Sequence, residues 1–122
     1  MGKPAAAVKT TRVVANPTFD VTVNVVLPLG ANRHSIERVW LPEVLRLLRR
    51  EPDLVDVTYV IEFGYRQMVD FSFSTDAVSG FDAAVHASQI VKDVFGVAPR
   101  LRRYGDFPCT PAIRGVVAER RP

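Results

Sequence analysis

Four carboxylates fall on one side of the alternating strands of this 122-residue chain: Asp20, Asp56, Glu62 and Asp70. Carboxylates brought within about 4 Å of a shared divalent ion support two-metal chemistry. The strand pairing derived below sets Asp70 opposite Val60 and Glu62 opposite Met68, so these acids do not pair across their hairpin. A solvated polar face is expected there, with no metal and no catalytic carboxylate. His34, His86 and Cys109 are the residue types of a thiol nucleophile with its base, or of a zinc site. His34 falls in a loop, His86 on the polar side of a helix and Cys109 in a tail after Pro108. Neither spacing matches a nucleophile or zinc signature. Gly30 to Ser35, between a strand and a helix start, could hold an anion on backbone N–H groups. It lacks a glycine-rich fingerprint and a Gly-Lys-Ser/Thr triplet, so a capped turn is expected and no cofactor.

Charge is more informative, because it is sorted by position. Residues 1–18 carry Lys3, Lys9 and Arg12 and no acid, a net of +3. Residues 99–122 carry Arg100, Arg102, Arg103, Arg114, Arg120 and Arg121 against Asp106 and Glu119, a net of +4. The body between them has a net of −4. Basic ends on an acidic body can bind copies of the same chain, or another anionic partner. These nine basic residues are the candidate interaction residues.

The body must position them. Phe19 to Leu27 alternates as a strand, with Phe19, Val21, Val23, Val25 and Leu27 on one face. Ser35 can cap a helix from Ile36. Ile36, Val39, Trp40, Val44, Leu47 and Leu48 have helical spacing, but the Pro42 ring clashes with the carbonyl of Arg38. A short first turn, a kink and a main helix over 42–50 are expected. Val55 to Phe63 and Gln67 to Thr75 alternate as two further strands. A two-residue turn at Gly64-Tyr65 would put their apolar sets on opposite faces. A three-residue loop, Gly64-Tyr65-Arg66, sets Ile61 opposite Val69, Tyr59 opposite Phe71 and Val57 opposite Phe73, and the need for one buried face selects it. Ser79 caps a helix over about 80–95, with Phe81, Ala84, Val85, Ala87, Ile90, Val91, Val94 and Phe95 as one apolar stripe. Arg100 to Tyr104 is expected as a short final edge strand, and Phe107 onward as a tail.

The order strand, helix, strand, strand, helix, strand predicts an α+β, ferredoxin-like (split βαβ) two-layer sandwich, with two helices on one face of an antiparallel sheet. Residues 1–18 form a basic N-terminal arm, 19–104 the sandwich domain and 105–122 a basic C-terminal tail. RNA-binding sheets of this topology carry aromatic and basic residues on the open face. Here that face is acidic, and Phe71 and Phe73 alternate into the core. Nucleic acid is left to the basic ends, through phosphate contacts alone.

With 48% hydrophobic and 24% charged residues the composition is globular. The lone cysteine forms no intrachain disulfide, and no apolar run approaches a membrane span. The first residues lack an apolar stretch of signal length. A cytoplasmic location, or a place in a particle assembled there, is expected.

From Val44 to Phe95 the chain resembles the tail-terminator and head–tail connector proteins of long-tailed bacteriophages. The segments that carry the resemblance are Leu45-Arg46-Leu47-Leu48-Arg49-Arg50-Glu51-Pro52-Asp53-Leu54, Val69-Asp70-Phe71-Ser72-Phe73-Ser74 and Phe81-Asp82-Ala83-Ala84-Val85. They cover less than half the chain. The resemblance implies a ring-forming structural subunit with no catalytic residues, located in a virion. Together with the charge pattern it predicts a non-enzymatic assembly subunit that forms homo-oligomers; the alternative is a nucleic-acid-binding accessory protein that uses the same ends.

Overall fold

The computed structural model describes residues 15–27, 33–64, 66–97 and 112–122. Along the chain come β1 (Thr18–Val26), a helical run from 33 to 49 that ends in α1 (Leu41–Arg49), β2 (Val55–Phe63), β3 (Gln67–Asp76), α2 (Gly80–Val97) and β4 (Ala112–Arg120). The four strands form one antiparallel sheet in the order β2-β3-β1-β4.

Alternation builds the covered face. Phe19, Val21, Val23 and Val25 of β1, with Leu27 just beyond it, and Val69, Phe71 and Phe73 of β3 are all buried. Trp40, Val44 and Leu48 from the helical run and Ala83, Ala87, Val91 and Phe95 from α2 pack in the same core. The rings of Trp40, Phe71 and Phe95 meet pairwise at 5.6–6.4 Å between centroids. Burying one such side chain contributes about 1.5–3 kcal/mol. The α+β sandwich with an antiparallel sheet is therefore as the sequence predicts.

The β2–β3 hairpin has the register that the apolar faces demand. Ile61 stands opposite Val69, Tyr59 opposite Phe71 and Phe63 opposite Gln67. The expected Val57–Phe73 pair is lost, because the register shifts between Val55 and Thr58. Asp56 lies in the left-handed backbone region there, at φ 57°. Aspartate tolerates that region better than most residues, and a one-residue bulge is the result.

Around Pro42 the structure differs from the expected break. The chain turns once as α-helix at Arg33–Ser35, widens to π-helix over Ile36–Trp40 and resumes as α1. The Leu41 N–H bonds back to the Ile36 carbonyl, five residues away. The wide turn accommodates the proline ring without ending the helix. Arg33 stacks on the Phe63 ring, 4.1 Å from its centroid, and ties the start of the run to β2.

In α2 the Ser79 hydroxyl accepts from the Asp82 N–H at 3.2 Å, as a capping residue should. The expected stripe is too wide, however. Ala83, Ala87, Ile90, Val91, Val94 and Phe95 face the core, while Phe81 and Val85 are exposed. At 100° per residue these two lie opposite Ala83 and Ala87.

The largest departure is β4. The stretch expected as a short strand, 100–104, lies outside the described residues. The fourth strand is 112–120, inside the segment expected to be a tail. It pairs antiparallel with β1, from Phe19 opposite Arg120 to Val26 opposite Ala112. Its register slips between Asn24 and Val25, which face Gly115 and Ile113, leaving Arg114 as the extra residue.

Candidate functional site

Of the nine basic residues singled out from the sequence, Lys3, Lys9, Arg12, Arg100, Arg102 and Arg103 lie outside the described residues, as does Cys109. Arg114 and Arg120 stand on β4, and Arg121 directly follows it. The strand is positioned by ladder bonds to β1, and the Arg121 N–H continues the ladder by donating to the Thr18 carbonyl at 2.9 Å.

That pairing swings the Arg121 side chain over the open face of the sheet. Its Nη2 donates to Asp20 Oδ1 at 2.7 Å and to Ser74 Oγ at 2.7 Å. Ser74 in turn donates to Asp20 Oδ1 at 2.8 Å. Asp20 and Ser74 are partners across β1 and β3, so one row of the sheet forms a seat for a guanidinium. The Arg121 hydrogen bond, then that from Ser74, holds the Asp20 carboxyl below its usual pKa; desolvation opposes them, and the Arg121 charge adds the smallest lowering. Arg114 sits at the other end of β4, where its Nη1 donates to Met68 Sδ at 3.5 Å. Sequence reasoning named Arg121 but not its seat. With 112–120 read as a tail, nothing brought Asp20 and Ser74 into its reach.

Two further rows of the open face are paired across β1 and β3. Asn24 Nδ2 donates to Asp70 Oδ1 at 2.6 Å, and the Thr22 and Ser72 hydroxyls meet at 3.2 Å. Asp70 faces Val60 and Glu62 faces Met68, as the hairpin register requires. Among the described residues no three carboxylate, histidine or cysteine side chains come together as a metal site. His34 is exposed in the first helical turn. His86 is also exposed, and its Nε2 lies 3.1 Å from Asp53 Oδ2.

His86 and Asp53 line a cleft of about 420 Å³ with Ser74, Thr18, Asp76 and Arg121. Serine, histidine and aspartate in one cleft invite a nucleophilic reading. The hydrogen bonds divide them: Ser74 donates to Asp20 and accepts from Arg121, while His86 pairs with Asp53. The Ser74 oxygen is thus held by a cation and a carboxylate. What the arrangement does chemically is bind a planar cation on an acid–hydroxyl row.

Compared with family models, curated proteins and solved structures, the chain matches none.

Proposed function

We propose that this protein is a non-enzymatic assembly subunit that forms homo-oligomers by docking basic residues on acidic positions of its body. The reading rests on the sorting of charge, basic residues in 1–18 and 99–122 against a body of net −4, and the Arg121 seat is an example of the contact such residues make. A basic residue at the end of the chain is held by Asp20 and Ser74 through short charge-assisted bonds, the stronger class of hydrogen bond. Arg121 makes this contact within its own chain, so its part in the proposal is to fix β4. The intermolecular contacts fall to the remaining basic residues of 1–18 and 99–120, which find Glu62 and Asp56 exposed on a neighbouring copy.

The finer architecture belongs to the same proposal. The succession β-α-β-β-α-β, with both helices against one sheet face, supports a ferredoxin-like split βαβ sandwich. The resemblance to phage tail-terminator and connector subunits adds a ring as the form of assembly and a virion as its place. Head-to-tail contacts that close give rings.

Sedimentation of the full chain across a salt series tests the reading. Exposed charge pairs weaken as the screening length falls from about 10 Å at 0.1 M salt to about 3 Å at 1 M. Oligomers at low salt that dissociate at high salt are expected. A monomer at every salt concentration overturns the proposal. Retardation of DNA or RNA by a monomer that loses it on deletion of 1–18 would move the function to nucleic-acid binding.

A further inference from the structure

Two exposed surfaces of this chain are complementary to each other. The first is a knob on the outer side of α2. Phe81 is 78% exposed and Val85 52%, one helical turn apart, with Val78 just before the helix 72% exposed. Asp82 flanks them in the first turn. Large apolar side chains clustered on a solvent-facing helix surface mark contact sites. The second surface is a groove of about 640 Å³ between α1 and the outer strand β2. The nearly buried Leu41 and Leu45 form its floor and the exposed Pro42 and Tyr59 its apolar walls, while Glu37, Arg46, Arg49 and Arg50 stand at its border. Arg49 Nη2 donates to the Val57 carbonyl at 3.2 Å, which fixes that guanidinium beside the groove.

The knob is apolar with an acid at its side; the groove is apolar with Arg49 and Arg50 at its side, its one acid, Glu37, being paired with Arg33 and its third arginine, Arg46, with Glu43. α2 packs over β4 and β1, whereas the groove lies on the β2 side of the molecule. Knob and groove therefore meet only between copies.

We infer that Phe81, Val78 and Val85 of one copy insert into the Leu41–Pro42–Leu45–Tyr59 groove of the next, with Asp82 facing Arg50. The inference rests on the assembly reading above and adds to the contacts of the basic ends a second contact made by the body. A different patch on each side makes the contact heterologous, so it propagates head to tail into a ring or a filament. Buried aromatic anchors dominate interface energetics, and the flanking charges set orientation more than affinity.

The test uses full-length protein with substitutions at exposed positions: Phe81→Asp as the knob variant and Arg50→Glu with Tyr59→Ala as the groove variant. In sedimentation at low salt, each alone is expected to lose assembly, with a dissociation constant raised at least about tenfold. Mixed one to one, they are expected to form a heterodimer that grows no further, because one intact knob meets one intact groove. In a second measurement, Asp82→Arg weakens assembly and Asp82→Arg with Arg50→Glu restores it. Wild-type oligomers that persist in both variants overturn this inference and leave the assembly reading standing. A wild-type monomer overturns both. Loss of assembly in the knob variant alone, with the groove variant assembling normally, means knob packs on knob and overturns the heterologous contact. A monomer that melts at lower temperature on Phe81→Asp means the stripe is covered by its own chain, which also overturns it.

Discussion

The two faces of the sheet are held together by different physics. On the covered face, Val23, Val25, Val69 and Phe71 are fully buried and contribute by packing against Trp40 and α2. On the open face the same two strands carry Asp20 with Ser74, Thr22 with Ser72 and Asn24 with Asp70, each pair joined by a side-chain hydrogen bond. Packing decides register, because a one-residue slip would expose the whole apolar set. The polar pairs then fall opposite each other as a consequence. The rows shared by β1 and β3 are thus self-satisfied, and β4 adds Arg121 over Asp20 and Ser74 at one end and Arg114 over Met68 at the other.

Truncation in the core should separate the faces most sharply. Phe71→Ala is expected to cost about 3–5 kcal/mol in urea denaturation. Asn24→Ala should cost about 1–3 kcal/mol, through the lost bond to Asp70. Equal losses at the two positions would erase the distinction between the faces. Acid should act on β4 next. The folded pKa of Asp20 lies below its unfolded value, so the contribution of its pairing with Arg121 is complete at neutral pH and is lost as pH falls through the lowered folded pKa, below about pH 4. Hydrogen exchange at residues 112–120, corrected for intrinsic rates, should show protection that drops in acid in the wild type and is weaker but pH-independent in Asp20→Asn. The smallest effect is expected for Thr22→Val, within about 0.5 kcal/mol of wild type, since its hydroxyl pair is half-exposed.

Much of this was legible in the residues. The alternation of Phe19 to Leu27, the three-residue loop implied by Ile61 and Val69, and the Ser79 cap all follow from local pattern and one buried face. Three features were not. The helical run survives Pro42 because a π turn absorbs the ring, and no residue spacing announces that. Val57 misses Phe73 because Asp56 inserts a bulge. β4 was hidden for a related reason: Arg114 is an extra residue, so Ile113 and Val116 share the core side three positions apart, and strict alternation fails. As for the candidate site, the basic residues were visible by composition. Their seat was not, because it is made by residues 20, 74 and 121 from three separate strand ends.

Both outer strands carry a bulge, at Asp56 in β2 and at Arg114 in β4, whereas the inner pair β1–β3 runs unbroken. A flat, regular outer strand is a template onto which further chains add, up to fibrils. An inserted charged residue twists that template and interrupts its row of backbone donors and acceptors. Each flank of the sheet therefore carries a feature that works against edge-to-edge addition of further chains.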